Sequence, residues 1–323
     1  MKAARRQARQ GSAGDAVASE VALVVASHGR HLVLQTADGQ ALMGHVRGKK
    51  NDAVVGDRVR WQATGDEAII EVVLPRRNLL YRQDEIRTKS FAANLDQVLV
   101  WLAAEPEFSP MQLTRALVAA RAVQIPAHIV LNKRDVQPAF DQAWARLAPY
   151  RAMGESVLPL QLKPNCPPED DAALRALLRG KVTLVLGPSG SGKSSLINRL
   201  VPQAQASTAE ISQALNSGRH TTTHTRWYDL PADLGGALID SPGFQEFGLH
   251  HLAPMDLAGL MPDMRQHLGA CRFHNCSHRH EPGCAVRAQV QGDDEAPRPD
   301  GISAHRYRLY EQLFDELSAP RRH

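Results

Sequence analysis

Two rhythms of hydrophobic and polar positions divide the chain. Between Glu20 and Arg82, apolar residues gather in short runs: Val21 to Ala26, His31 to Gln35, Ala41 to Val46, Asp57 to Trp61 and Ala68 to Val73. Short runs of this kind, bounded by turn formers, read as strands. Gly29, Asp38-Gly39 and Thr64-Gly65-Asp66 stand between the runs as turn formers. Five short strands in about sixty residues predict a small barrel, most simply an OB-fold, a shape that binds RNA through one face and its loops.

From about Glu85 the pattern changes to apolar strands alternating with helical stretches, which predicts a parallel sheet covered on both faces. Asp96 to Trp101 is one such strand. Ser109-Pro110 then opens a helix, with serine as N-cap and proline in the first turn, and Leu113, Leu117 and Ala120 follow at helical spacing. Further strands are predicted at Ala127 to Leu131, Val182 to Leu186 and Ala237 to Ile239, each ending in a loop of unusual chemistry. The last segment begins near His251 and crosses a polar stretch from Gly292 to Gly301. It closes with an amphipathic helix around Ala304 to Leu317, where Tyr307, Tyr310, Leu313 and Leu317 share a face.

At 323 residues the chain exceeds one ordinary core, so two or three domains are expected. With 43% hydrophobic and 22% charged residues the composition is that of a globular protein, and no apolar run is long enough to span a bilayer. Met1 to Ser19 carries Lys2, Arg5, Arg6 and Arg9 without the apolar stretch of a secretory signal, so a basic tail and a cytoplasmic location are expected. Net charge is +4, with unevenly placed arginine and histidine that suit a polyanionic partner.

Gly187-Pro188-Ser189-Gly190-Ser191-Gly192-Lys193-Ser194 matches G-x-x-x-x-G-K-[ST], after an apolar strand and before a helical stretch that starts at Ser195. Glycines let backbone N–H groups close around a β-phosphate, and the helix N-terminus adds its dipole. Lys193 is expected to neutralise phosphate oxygens and Ser194 to ligate Mg²⁺. Asp240, in Asp240-Ser-Pro-Gly243, is expected to serve the metal through a bound water, and the Gly243 N–H to meet a γ-phosphate. Asn132-Lys133-Arg134-Asp135 selects the base. A carboxylate at Asp135 accepts from N1–H and the N2 amino group of guanine, donors that adenine lacks. Asn132 is expected to fix the neighbouring loop and base edge, and the aliphatic stem of Lys133 to lie over the ring. The guanine motif precedes the phosphate loop, the reverse of ordinary GTPases, so the domain is expected to be circularly permuted.

Cys271, Cys276, His278 and Cys284 offer three thiolates and one imidazole, a complete tetrahedral set that suits a structural Zn²⁺. His274 and His280 lie close enough in sequence to be alternative ligands. Cys166 stands apart as an ordinary thiol.

Val55-Gly-Asp-Arg-Val59, Asn132 to Asp135, Gly187 to Ser195, Gly218-Arg-His-Thr-Thr-Thr223, Asp240 to Gly243 and the Cys271-x4-Cys276-x-His278-x5-Cys284 cluster together resemble the circularly permuted ribosome-assembly GTPases of the small-ribosomal-subunit-dependent GTPase A (RsgA/YjeQ) family. The resemblance covers nearly the whole chain. It implies a basic tail over 1–19, an OB-fold RNA-binding domain over 20–84, a permuted α/β G domain over 85–250 and a mainly α zinc-binding domain over 251–323. It further implies GTP hydrolysis to GDP stimulated by the small (30S) ribosomal subunit and its 16S rRNA, a role in late maturation of that particle, and a monomer with no membrane association. Thr222 and Thr223 fall in the family's first switch, and one of those hydroxyls is expected to reach Mg²⁺. The family pattern also favours His278 over its neighbours.

Two positions depart from the pattern. Pro159-Leu-Gln-Leu162 stands where a serine-rich motif beside the guanine belongs. Phe244 follows Gly243, where many GTPases place a water-orienting glutamine. His251 resembles a family position that could take over that role, His250 is an equal rival on sequence grounds, and an exposed structural histidine is a third reading. Two other functions fit parts of the pattern. A P-loop kinase or ATPase would prefer ATP. A non-hydrolysing RNA-binding regulator would use GTP only as a conformational ligand.

Overall fold

The computed structural model describes residues 20–28, 31–46, 52–64, 67–84, 88–202, 224–242, 247–292, 298 and 300–320. The basic tail, Thr222, Thr223, Gly243 and Phe244 lie outside the described residues.

Strands β1 (Glu20–His28), β2 (His31–Gln35), β3 (Ala41–Val46), β4 (Arg58–Thr64) and β5 (Glu67–Val73) pair in the order β1-β2-β3-β5-β4, and β4 returns to β1 to close a barrel. Successive side chains face opposite sides of the barrel wall, as the pleat requires. Val24, Leu32, Leu34, Val59, Ala68 and Ile70 fill the interior, while Arg58 and Arg60 face out. This is the expected five-stranded barrel.

The hairpin β6 (Leu79–Gln83) and β7 (Thr88–Ala93) leads from the barrel into the second sheet, and it spans the 84/85 position between the first two expected domains. The Val55-Gly-Asp-Arg stretch fastens this junction. Val55 O accepts from Ala93 N at 2.9 Å, and Gly56, at φ +90°, lies so close to Ala93 O that a side chain there would collide. Buried Asp57 accepts from Val54 N at 2.8 Å and from Arg76 Nε at 2.7 Å, so the charge that burial would penalise is paired.

The second sheet runs β10 (Val157–Pro159), β9 (Ala127–Asn132), β8 (Gln97–Ala103), β11 (Val182–Leu186), β13 (Ala237–Asp240) and β12 (Arg226–Asp229). All are parallel except β12, so the carboxyl ends of β9, β8, β11 and β13 gather on one edge. Helices α1 (Pro110–Ala122), α2 (Ala139–Arg146) and α3 (Ala148–Ala152) contribute to the core on one face; α4 (Pro168–Leu178) and α5 (Lys193–Leu200) cover the other. Ser109 caps α1 by accepting from Gln112 N, with Pro110 in the first turn. Leu174, Leu178, Leu196 and Leu200 are buried against Leu99, Val185 and Leu238, each contributing about 1.5–3 kcal/mol. Antiparallel pairing of Ala26 with Arg226 joins barrel and second sheet into one sheet of eleven strands.

The C-terminal part is mainly helical, and it shares a core with the α1 face through Leu257, Met261, Tyr310 and Leu313. Its amphipathic helix spans Ala304–Ser318, and Ser303 caps it by accepting from Arg306 N. Arg306 is buried. It donates to Asp263 at 2.9 and 3.2 Å and to Thr114 Oγ1 at 2.8 Å, and it lies over the Tyr150 ring, so one guanidinium pins the C-terminal helix to α1 and α3. No helix among the described residues is long and apolar enough to cross a membrane.

Candidate nucleotide site and metal knuckle

The phosphate loop leaves the carboxyl end of β11 and enters α5 through Gly192. Gly190 and Gly192 hold φ +79° and +99°, the left-handed region that curls successive N–H groups toward one point. Lys193 Nζ folds over the loop and donates to Gly187 O at 2.7 Å and Pro188 O at 2.9 Å. Burial lowers the pKa of this ammonium, and the Asp240 carboxylate partly offsets the shift. Ser189 and Ser194 are exposed, Ser195 is half-buried, and buried Ser191 donates its hydroxyl to Pro188 O at 2.8 Å.

The guanine motif sits at the end of β9, two strands away. Asn132 Nδ2 donates to Ser191 O at 3.1 Å, while Asn132 Oδ1 accepts from Leu162 N at 3.3 Å. One amide thus ties the guanine loop to the phosphate loop on one side and to the Pro159–Leu162 stretch on the other. Lys133, at φ +66°, reaches Glu105 O with Nζ at 2.6 Å, and Asp135 is exposed beyond it. Arg134 is held outward by Asp170 at 3.2 Å, and Asp170 also accepts from Gln161 N.

Asp240 is buried at the end of β13, in register with Val185 of β11 just ahead of the phosphate loop. The next residue, Ser241, shares a hydrogen bond with Thr225 at 3.1 Å. His251 stands at the start of the C-terminal part. Its ring packs on Tyr81 at 4.5 Å, and the preceding His250 N donates to Gln83 O, so the contacts that hold this segment come from the β6–β7 hairpin. Burial, and secondarily His250, lower the His251 pKa, and its Nδ1 is buried without a hydrogen-bond partner among the described residues.

In the C-terminal part, the ligating atoms of Cys271, Cys276, His278 and Cys284 all lie within 4.8 Å of one another. The Sγ atoms of Cys271 and Cys284 are each 3.5 Å from His278 Nδ1. A tetrahedral zinc with ordinary bond lengths separates sulfur and nitrogen by about 3.6 Å, so the donor set fits. His274 and His280 are exposed and outside the group, whereas His278 lies within it. Backbone N–H groups of Ala285 and Arg287 point at Cys271 and Cys284 sulfurs at 3.3 and 3.4 Å, as suits thiolates. Glu281 gathers the turn by accepting from Ser277 N at 2.7 Å and Arg279 N at 3.2 Å. Burial would raise its pKa, but these bonds outweigh that and hold the carboxyl well below the usual range. The hydroxyls of Tyr307 and Tyr310 donate to His278 O and Ser277 O, both at 2.7 Å, clamping the knuckle to the C-terminal helix.

Residues 73–250, carrying the whole nucleotide edge, match the RsgA GTPase family. The chain belongs to the RsgA GTPase family. It is 62% identical over 299 residues to the small ribosomal subunit biogenesis GTPase RsgA of Variovorax paradoxus (strain S110), an alignment covering 93% of each chain. Among solved structures it resembles YjeQ from Thermotoga maritima, with a TM-score of 0.66, 26% identity and coverage of 94% of this chain and 99% of that one. It also resembles YloQ, described as a circularly permuted GTPase, with a TM-score of 0.63, 26% identity and coverage of 99% and 100%.

As a member of the RsgA GTPase family the chain is a GTP hydrolase with a permuted α/β domain. Two contributors at its nucleotide edge have no motif to announce them. Trp101, buried in β8, donates Nε1 to Ser191 O at 3.0 Å. Leu162 acts through its backbone N–H, so its side chain carried no signal. For Trp101 the available hint was a large indole in an otherwise aliphatic strand, since a buried indole N–H needs an acceptor.

Proposed function

We propose that the chain binds GTP between Asp135 and Lys193, hydrolyses it to GDP and phosphate, and acts on the small ribosomal subunit during its late maturation. The carrying observation is that Asn132, from the guanine motif, and the phosphate loop meet at one carbonyl, Ser191 O, although 59 positions separate them. That contact supports reading the base-reading and phosphate-holding loops as one site rather than two cavities. The same juxtaposition weighs against a kinase or ATPase reading, because the N-K-x-D loop has no purpose beside an adenine.

In this reading Asp135 accepts from the guanine edge and Asn132 keeps its loop in place. The Lys133 stem covers the ring. Backbone N–H groups from Gly187 to Ser195 surround the phosphates. Lys193, already stripped of much of its water, leaves the Gly187 and Pro188 carbonyls for the β/γ oxygens, where a desolvated ammonium stabilises developing charge more than in water. Mg²⁺ would be held by Ser194, by Asp240 through water and by Thr222 or Thr223, and when bound it supplies charge neutralisation between the phosphates. Gly243 meets the γ-phosphate. His251 is assigned to orient the attacking water; its imidazole is biased toward the neutral form that can accept a proton.

The Cys271, Cys276, His278 and Cys284 group is assigned one structural Zn²⁺, since four protein donors leave no open position. The domain limits 1–19, 20–84, 85–250 and 251–323, the barrel as a binder of 16S rRNA, a monomeric state and a cytoplasmic location belong to the same proposal. It is supported by the printed name of the Variovorax relative and by the outward arginines of β4.

Turnover of GTP and ATP, with and without purified small subunits, tests the reading. GTP should be preferred by several orders of magnitude and its turnover raised by the particle, with Lys193→Ala reducing kcat/KM about 10²–10³-fold. Equal use of ATP would reject the base assignment. Turnover indifferent to small subunits would favour a regulator that merely binds GTP, and normal stimulated turnover in His251→Ala would remove that residue from the chemistry.

A further inference from the structure

The Ser191 carbonyl receives two donors, the side-chain amide of Asn132 at 3.1 Å and the indole N–H of Trp101 at 3.0 Å. Two donors occupy both lone pairs of one oxygen. They arrive from adjacent strands, β9 and β8, beneath the loop. In a trans peptide the C=O and the following N–H point in opposite directions. Fixing Ser191 O against the sheet therefore aims Gly192 N–H away from it, at the mouth of the helix N-terminus. Gly192 N–H has no acceptor among the described residues. Trp101 also backs the start of the loop, for a side chain at Gly187 would strike its carbonyl. Just past the end of the same strand, Ala104 N–H donates to Asn132 O at 3.0 Å.

We propose that Trp101 is a positioning residue for phosphate binding: its indole N–H keeps the Ser191–Gly192 peptide turned so that Gly192 N–H is presented to the β-phosphate. This rests on the nucleotide site proposed above. The ordinary use of a buried indole is to fill a core and satisfy its own donor. Trp101 does fill the cluster of Leu99, Val130 and Leu196. Its acceptor, however, is a loop carbonyl whose orientation decides where an anion-binding N–H points, and side-chain bulk alone does not set that orientation. Asn132 restrains the same carbonyl from β9, and the Trp101 indole supplies the second restraint from β8.

The test compares GDP, which carries the β-phosphate, with guanosine, which does not. Trp101→Phe keeps an aromatic ring but removes the donor. Affinity for GDP with Mg²⁺ should fall about tenfold, the order expected for one lost buried hydrogen bond, while affinity for guanosine stays within about twofold by the same reasoning. Equal loss for both ligands would show a general packing defect, and unchanged GDP affinity would show an idle donor; either overturns the role of Trp101. A parent protein that fails to bind GDP would sink the nucleotide site itself, and this inference with it. Should Trp101→Phe not fold, the ¹⁵N-labelled indole resonance of Trp101 in the unsubstituted protein serves instead. It should move on adding GDP and stay still on adding guanosine, and a resonance blind to GDP would overturn the proposal.

Discussion

The phosphate loop and the cysteine knuckle are both short polar turns assigned a charged ligand, yet they are held in opposite ways. The phosphate loop is held from outside. Trp101 and Asn132 reach it from neighbouring strands, Lys193 spans its own carbonyls, and the sheet beneath is among the most buried parts of the molecule. The knuckle is held mainly from within. Its contacts are Glu281 bonding back to its own turn, thiols facing one imidazole, and two tyrosine hydroxyls from the C-terminal helix. Phe273, its large apolar residue, is 40% exposed. A loop shaped by its scaffold can release its ligand on every cycle and keep its form. A turn shaped by its ligand cannot.

The largest effect should therefore follow metal removal. Chelation, or Cys276→Ser, should abolish zinc binding, which in small modules is worth on the order of 10 kcal/mol of folding free energy. Hydrogen-exchange protection over residues 271–284 should collapse, and the C-terminal helix should lose the two tyrosine clamps. Removing nucleotide, by contrast, should leave protection of β11 and α5 within about tenfold, since core strands open only with the global unfolding. If chelation left the knuckle as protected as before, or if GDP removal melted α5, the contrast would fail.

The contrast also explains which parts were legible in the sequence. Both turns announce themselves, because glycine spacing and cysteine spacing are local consequences of the charge each is proposed to surround. The barrel was legible through short apolar runs and the turn formers between them, and the α1 start through Ser109-Pro110. What the chain does not announce are contacts made across long separations. Nothing local to Ala26 says that it pairs with Arg226 and fuses two sheets, and nothing local to Trp101 points to Ser191. The hairpin spanning positions 84/85 escaped for a related reason. Its two halves lie on either side of the change in rhythm, so pattern alone assigns them to different domains. The choice of His278 over His274 and His280 rested on the Cys-x-His spacing and the family pattern, and His278, at φ +59°, is the one whose ring joins the three cysteines.

An intermediate effect separates two glycines of the phosphate loop. Gly190 and Gly192 both occupy the left-handed region, so alanine at either is strained by roughly 1–3 kcal/mol. They differ in what an added methyl would meet. At Gly190 the nearest atom is Pro106 Cδ at 3.5 Å, an ordinary contact, whereas at Gly192 it is Asn132 Nδ2 at 2.5 Å. Gly192→Ala must displace the amide that joins the two halves of the site, while Gly190→Ala need not. GDP affinity should fall at least about tenfold further in Gly192→Ala than in Gly190→Ala, given the order of one buried hydrogen bond. Equal losses would mean that backbone strain alone matters and that the Asn132 bridge carries nothing.

The smallest effect asks whether the sheet beneath the phosphate loop has an acid sensitivity of its own. His128, on β9, has its pKa lowered by burial first and by Lys181 second, and its Nδ1 is buried without a hydrogen bond among the described residues. A histidine depressed in the native state binds protons more readily when unfolded, near its ordinary value of about 6.5. Above that pH both states are neutral and its contribution to stability is fully present. As pH falls below 6.5 the unfolded chain takes up the proton first and native stability declines, levelling off once pH drops below the native pKa. His28 and His251 are depressed in the same direction by burial and neighbouring positive charge, so His128→Gln should flatten only part of the slope. The measurement is urea unfolding of parent and variant at pH 7.5 and 5, followed through β8 and β9. A variant whose stability falls as steeply as the parent's would place the acid sensitivity outside this sheet, and the externally held loop would then rest on a scaffold indifferent to pH.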